Sequence, residues 1–465
     1  MNLEPIFHRF SLAGASVAGV GLVGAGEFGA TFVAQIHRMS GLRVMALCDQ
    51  QPDKAVALAL QSGLEPSQVY LAHDLPGAQA AAARGQCVVV DRAEWLAQLP
   101  LEAVLEATGD PQGAAATALT CIEAGKHVVL ATKEAEIVVG PELARRAHQR
   151  GVVISPVDGD QPSLLIGLVA WARLLGLPVV AAGKSSESDF VWNPQTEEVT
   201  AWGRTLSVPG FGKHFVAPNL DDWGSTLTAR ANIPFDLTTV PDLCEMGIVA
   251  NHTGLRPDCG TLHAPLARTV ELPSLFRPRQ EGGILDAPGR VDMFNCLRRP
   301  DELSFAGGVF VVIEAPDEAT GRLFAAKGMP TCPQGRYVLI HNPVHLLGAE
   351  AAMSILSAVK LGTSTGSRDV RPVVDLIGVT DRDLAVGEVL TIGTRHVIPG
   401  LSHRLEPARP LAPDAPVPYY LSAGARVVRP VPQGQILRCG DINLDTRSAL
   451  YTLRQSQDHH FFSSP

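Results

Sequence analysis

Apolar residues in the first third of the chain come in short unbroken runs, at 17–23, 44–48, 87–90, 103–106, 127–131 and 152–154. Runs of this length predict strands buried on both faces. Between them lie segments with helical spacing, at 30–39, 53–61, 77–84, 93–99, 112–124 and 141–150. Gly125 stands where a helix end expects glycine, and Pro141 where a helix opens. Such alternation predicts a doubly wound parallel sheet. Residues 1 to about 15 read as a short lead-in.

The texture then changes. An apolar helix is expected at 163–175 and a strand at 178–182. Residues 184–236 are polar, rich in Gly and Pro, and carry Trp192, Trp202 and Trp223. A stretch this long and irregular is expected to be a lid or an insertion. The tryptophans either close over a sugar-like substrate or anchor the loop. A helix at 240–250, a loop-rich segment at 257–305, strands at 309–314 and 337–340, and a strong helix at 343–360 follow. Past Gly366, Leu384-Ala-Val-Gly387-Glu-Val-Leu390 is echoed by Val431-Pro-Gln-Gly434-Gln-Ile-Leu437. Each copy sets a turn glycine between short β segments, which predicts a small all-β domain. The tail after Asp445 reads as weakly ordered.

The expected fold class is therefore α/β in three parts. Residues 1–162 form a Rossmann-type doubly wound parallel sheet. Residues 163–366 form an α+β domain for substrate binding and oligomerisation, whose helix at 343–360 can pack back on the first. Residues 367–465 form the small β domain and tail.

Bulk properties narrow the function. Of 465 residues, 46% are apolar and 18% charged, enough for large cores. A net charge of −9 argues against a nucleic-acid partner. The eight cysteines include no C-x-x-C pair, which suits a reducing compartment rather than a disulfide framework or zinc site. No apolar run is long enough to span a membrane. A cytoplasmic protein without membrane partners is expected.

One stretch carries specific chemistry. The first apolar run breaks into Gly24-Ala-Gly26-Glu27-Phe28-Gly29 and then into a helix, the order of a dinucleotide fingerprint. Gly24 allows the tight turn, Gly26 lets a pyrophosphate approach, and Gly29 lets the helix sit close to the strand. The second run ends in Asp49, where an acid holds a ribose 2′-hydroxyl and repels a 2′-phosphate. NAD or NADP is the expected cofactor, with NAD favoured. Ala107-Thr108-Gly109, after the run at 103–106, offers small residues for the cofactor to lie against.

Other candidates sit where strands end. Lys133, beside Glu134, either lines the nicotinamide ribose and substrate or is a solvated pair. Asp160 orients substrate or nicotinamide, caps the following helix, or does both. Lys184 polarises a carbonyl or donates a proton if burial lowers its pKa, or else is a surface lysine. Asp189 can assist it. Glu245, in an otherwise apolar helix, binds substrate hydroxyls or a metal, or pairs with a buried Arg or N–H. His252 and His345 read first as satisfied core histidines, with a proton shuttle as the alternative. No metal-ligand spacing and no nucleophile–base pattern is visible, so no resident metal is expected.

The chain resembles the homoserine-dehydrogenase-like oxidoreductases that carry a C-terminal SAF domain. One branch of these is the 1-deoxy-D-xylulose 5-phosphate reductoisomerase-like enzymes. The matching pieces are the glycine fingerprint, Glu106-Ala-Thr-Gly109, Glu123-Ala-Gly-Lys-His-Val-Val129, Gly159-Asp-Gln-Pro162, Glu245-Met-Gly-Ile-Val-Ala-Asn251, Thr253-Gly-Leu255 and His345-Leu-Leu-Gly348. The repeat after residue 372 looks like the SAF pattern. The resemblance implies a nicotinamide-dependent enzyme acting on a small polar carbonyl or alcohol, as a homodimer or homotetramer. One departure stands out. The family's Asp-Gly-Thr-Lys segment is matched by Thr238-Thr-Val-Pro241, so Pro241 replaces a plausible proton donor. Lys184 then becomes the first choice of acid. Reductoisomerisation would need a firm phosphate site, and no basic cluster demands one. A chain that lost its proton donor could instead be a non-catalytic, NAD(P)-responsive binding protein.

Overall fold

The first sheet is built from strands β1 (Ala18–Val23), β2 (Leu42–Cys48), β3 (Val69–Leu71), β4 (Cys87–Val90), β5 (Ala103–Glu106), β6 (His127–Leu130) and β7 (Ile154–Pro156). Their order is β3-β4-β2-β1-β5-β6-β7, and every pairing is parallel. The order reverses between β1 and β5, so a ligand crevice is expected at their carboxyl ends. Helices α1 (Glu27–Ile36), α2 (Pro52–Gln61), α3 (Leu75–Ala83), α4 (Pro111–Glu123) and α5 (Lys133–Arg150) connect the strands. This computed structural model describes His8, Phe10 and residues 16–463. Most of the expected lead-in lies outside the described residues.

Helix α5 begins eight residues before the expected start, and Pro141 lies inside it. An interior proline costs about 3 kcal/mol. The nearly continuous buried run from Glu134 to Leu143 outweighs it, because α5 is covered on several sides. The early start has a functional consequence: it places Lys133 at the first turn, at the carboxyl end of β6.

The second unit opens with α6 (Gln161–Leu174) and β8 (Val179–Ser185). The expected irregular stretch after 184 is instead a β meander, β9 (Phe190–Asn193), β10 (Glu198–Ala201) and β11 (Arg204–Ser207), followed by short helices, of which α7 is Gly224–Ala231. Trp192 and Trp223 are buried packing anchors, Trp192 lying at a tilt against Phe211 and Phe215. Helix α8 (Val240–Thr253) follows.

The segment read as loop-rich contains the long strand β12 (Arg290–Arg298), buried along almost its whole length. Asp292 and Asn295 interrupt its apolar pattern. Both bond to the 263–264 loop, where Asp292 accepts from the His263 backbone at 2.9 Å and Asn295 donates to Ala264 O at 2.9 Å, although Asn295 Oδ1 is left without a partner. With β13 (Val309–Glu314), α9 (Glu318–Ala326) and β14 (Tyr337–Asn342), the mixed sheet runs β11-β10-β9-β12-β8-β13-β14.

The helix expected at 343–360 is broken. Leu347 takes a left-handed φ of 50°, and only α10 (Ala351–Leu356) is a regular α segment. Ala351, Ile355 and Leu356 pack back into the core of the first sheet beside Phe32 and Val33.

The C-terminal unit is all-β up to its last helix, with β15 (Val374–Thr380) paired to β16 (Leu401–Pro407). The two copies of the repeat meet at the Leu384–Val431 bridge, and both turn glycines, Gly387 and Gly434, have positive φ. The tail, expected to be loose, forms α11 (Ala449–Phe462). Its buried Arg454 holds Asp375 and Asp458 at 2.6 and 2.7 Å. Its Gln457 and Ser456 bond to α5 through Val138 O and Glu142. Among the described residues, no helix is long and apolar enough to cross a membrane.

Candidate functional site

The glycine turn has the features a dinucleotide needs. Gly24 has φ 101°, and a Cβ there would come 2.5 Å from Ala107 O. Gly26 opens α1 with no side-chain cap, and a Cβ there would meet nothing within 4 Å. The first N–H groups of α1 are therefore free to face a phosphate. Glu27 is exposed in that first turn, and the backbone of half-buried Phe28 abuts Gly348. Asp49 is fixed at both oxygens, accepting from Ala25 N at 2.9 Å and Gln51 N at 2.8 Å. It thus borders the turn from the β2 side. These residues fit a nicotinamide dinucleotide.

On the other side of the crevice, Ala107-Thr108-Gly109 leaves β5. Thr108 donates to Glu106 through its N–H at 3.1 Å and its hydroxyl at 2.5 Å, and Gly109 N donates to Thr132 Oγ1 at 2.9 Å. Glu106 is fully buried, and its Oε2 has no partner. Burial pushes its carboxyl up to about 7, even though the bonds from Thr108 favour the charged form. In the sequence Glu106 stands out only as part of the Glu106-Ala-Thr-Gly109 motif.

The four expected catalytic residues converge. Lys133 (first turn of α5), Asp160 (cap of α6), Lys184 (near the end of β8) and Glu245 (α8) form one cluster. Lys133 Nζ lies 2.5 Å from Glu245 Oε1 and 3.1 Å from Asp160 Oδ2. Glu245 Oε2 accepts from Lys184 Nζ, so one carboxylate bridges two ammonium groups. Asp242, which the sequence reading missed, joins at 2.8 Å from Lys184. The available signal was its position one turn before Glu245, with Thr239-x-x-Asp242 forming a capping box. Asp160 also caps α6, accepting from Gln161 N at 2.9 Å. Both of its expected roles are therefore compatible in one geometry.

Two expectations about Lys184 change. Burial would push its ammonium pKa down, but the facing Asp242, Glu245 and Glu187 carboxylates drive it well above its ordinary value instead. The same holds for Lys133, where burial is outweighed by Asp160 and Glu245. Glu245, despite burial, is held well below the usual carboxylate range by both lysines. Access also differs: the Lys133 side chain keeps 22% of its surface exposed, Lys184 only 1%. Lys133 is thus the more accessible of the two lysines, and Lys184 is linked to it through Glu245. Pro241 occupies the first turn of α8 and contributes no proton donor.

The remaining candidates are peripheral. Asp189 is taken by Arg298 at 2.6 Å. His252 is a satisfied core histidine: Ser367 N–H donates to Nδ1 at 3.0 Å, leaving Nε2 to donate to Glu136 at 3.0 Å. His345 packs on Gly307 with Nε2 3.8 Å from Glu187, at the edge of the cluster. Glu134 is not a solvated partner of Lys133; it is buried and faces His396 at 3.0 Å. No His/Cys/Asp/Glu group suited to a metal ion occurs among the described residues.

Residues 159–351 match the family described as oxidoreductase DRL, catalytic domain. That stretch includes Asp160, Lys184, Asp242 and Glu245. The chain is 34% identical over 154 residues to a 1-deoxy-D-xylulose 5-phosphate reductoisomerase of Anaeromyxobacter dehalogenans (strain 2CP-1 / ATCC BAA-258), covering 33% of this chain and 34% of that one. A protein of the same name from Anaeromyxobacter sp. (strain K) matches to the same extent. The chain thus spans about a third of the length of these curated relatives. Among solved structures, GenD2 from gentamicin A biosynthesis in complex with NAD matches with TM-score 0.27 at 20% identity, over 38% of this chain and 46% of that one. Myo-inositol dehydrogenase from Lactobacillus casei matches with TM-score 0.26 at 20% identity, over 37% and 47%.

Proposed function

We propose that the chain is an NAD(P)-dependent oxidoreductase that transfers hydride to or from a small polar aldehyde, ketone or alcohol. The observation that carries this is positional. The uncapped turn at Gly26, Asp49 and the Lys133–Glu245–Lys184 cluster all lie at the carboxyl ends of the first sheet's strands or against them, where doubly wound sheets bind ligands. The match of residues 159–351 to an oxidoreductase catalytic domain supports the reading. Asp49 favours NAD over NADP.

A bound dinucleotide would supply or accept the hydride. The chain's own part is electrostatic. Lys133, held charged by Asp160 and Glu245, presents an ammonium to the oxygen that gains negative charge on reduction and can pass it a proton from Nζ. Lys184 and Asp242 fix Glu245, so Lys133 needs little reorganisation when charge develops. Burial of Lys184, Asp242 and Glu245 keeps water from the inner side of the cluster.

Within this reading, the homoserine-dehydrogenase-like framework, the SAF identity of the C-terminal β unit and a homodimer or homotetramer are part of the proposal. Reductoisomerisation of deoxyxylulose phosphate is the second reading, favoured by the 34% identity to the two Anaeromyxobacter proteins. The test is fluorescence titration with NADH and NADPH, followed by NADH consumption with a panel of small aldehydes and ketones and with deoxyxylulose phosphate. Uptake and turnover support the reading. Uptake without turnover leaves the non-catalytic binding protein, and no uptake removes the oxidoreductase.

A further inference from the structure

The C-terminal unit lies outside the matched catalytic region, yet it reaches the crevice. His396 stands directly on Gly109: a Cβ at that glycine would come 2.8 Å from His396 Cε1. Its Nδ1 lies 3.0 Å from Glu134 Oε1, an ion pair when the ring is protonated, and that buried nitrogen has no other partner. Tyr420, from the same unit, has a fully buried hydroxyl that is also without a partner.

The loop that carries His396 is built under strain. Arg395 and His396 both take left-handed backbone angles, φ 54° and 58°. Each such non-glycine residue costs on the order of 1–3 kcal/mol, and strain of this kind gathers at ligand clamps. The loop is closed by Gly393 N–H donating to Val397 O at 2.7 Å, and anchored by Ile398 N–H donating to Tyr419 Oη at 2.8 Å. The Arg395 guanidinium lies over the ring of Trp202, 5.9 Å from its centroid. Trp202 sits in the turn between β10 and β11. The loop therefore touches all three parts of the chain.

A dinucleotide whose pyrophosphate rests on α1 must run its nicotinamide ribose across the β1/β5 switch point, past Gly109. That face is where the His396 imidazole lies. We infer that His396 is a cofactor-positioning residue lent by the C-terminal unit, which closes on the nicotinamide ribose while loop 393–397 acts as the latch that sets cofactor release. This rests on the dinucleotide reading above.

The test is stopped-flow release of NADH from the full chain, followed by its fluorescence. H396A is expected to release NADH at least about tenfold faster. H396N, which keeps a side-chain N–H near the Nδ1 position, is expected to restore release to within about threefold of wild type. A merely structural role, through the Glu134 contact, would lower the urea midpoint in step with faster release, so midpoints of the same variants are measured alongside and are expected to stay near wild type. R395A, at an exposed side chain, is expected to speed release as well, and carries the test alone should H396A fail to fold. Wild-type chain that takes up no NADH overturns the dinucleotide reading and this inference with it. Wild-type chain that binds NADH, with the folded variants releasing it within about twofold of the wild-type rate, overturns this inference alone.

Discussion

Asp242 Oδ1 lies 2.8 Å from Lys184 Nζ, tying the first turn of α8 to the second sheet beneath the crevice. The pair is buried on both sides. With Glu245, Asp160 and Lys133 it makes a cluster of three carboxylates and two ammonium groups. Removing one member of such a set leaves the others buried and undercompensated, which costs more than the intact set contributes.

The two lysines are therefore expected to differ. Lys184→Met strands Asp242 and half of Glu245, and should lower unfolding stability by about 3–5 kcal/mol. Lys133→Met leaves Glu245 paired with Lys184, and Asp160 with its cap bond, so its stability loss should be the smaller. Turnover should show the reverse specificity. In Lys133→Met it should fall by about a hundredfold or more while NADH affinity is retained. Urea midpoints and NADH titrations on both variants check this, and equal stability losses would contradict the arrangement.

Asp49 makes a second difference measurable. Its carboxylate is pre-oriented by Ala25 N and Gln51 N, so a 2′-phosphate would meet a fixed negative charge. Asp49→Ser is expected to weaken NADH binding and strengthen NADPH binding, shifting the affinity ratio by about tenfold or more. Titrating both nucleotides against both proteins tests it, and an unchanged ratio would remove Asp49 from the ribose site.

Glu106 gives stability a pH dependence. Its carboxyl titrates near 7 in the folded chain against an ordinary value of 4.5, because burial disfavours the charge. Below about 4.5 the group is protonated folded and unfolded, and contributes no difference. Between the two values the folded state holds a proton that the unfolded state has lost, so stability falls as pH rises. The total loss by pH 8 is of order 3 kcal/mol. Glu106→Gln, neutral throughout, should flatten that part of the profile and be relatively more stable at pH 8 than at pH 5. Thermal melts of both proteins from pH 5 to 8 report it.

Much of this organisation is legible in the residues. Buried parallel strands read as unbroken apolar runs, and the glycine turn follows from its spacing. Lys133, Asp160, Lys184 and Glu245 stand out because charge at strand ends or in an apolar helix demands a partner. Three features escape such reading for identifiable reasons. Strand β12 hides because Asp292 and Asn295 find their bonds in the 263–264 loop, about 30 residues earlier in the chain. Helix α5 hides its start because packing overrides Pro141. The charge state of Lys184 depends on Asp242, whose proximity only the tertiary fold creates, and His396 reaches Gly109 from nearly 300 residues away.

The last of these long-range ties concerns the tail. Arg454 of α11 is fully buried and bidentate to Asp375 of β15, at 2.6 and 2.8 Å, and it also holds Asp458. Asp458 in turn accepts from Leu411 N at 2.7 Å. The same helix lies on α5, whose first residue is Lys133. Arg454→Ala leaves two buried carboxylates without their cation, and should cost about 3–5 kcal/mol. The loss should appear first as local release of α11 rather than global unfolding, because the cluster on one face of the first sheet contains no residue of α11. Hydrogen exchange should show faster exchange over 449–462 and along α5, with β1, β2 and β5 protected as before. Uniform deprotection of the first sheet would instead mean that the tail helix is an integral part of that domain's core.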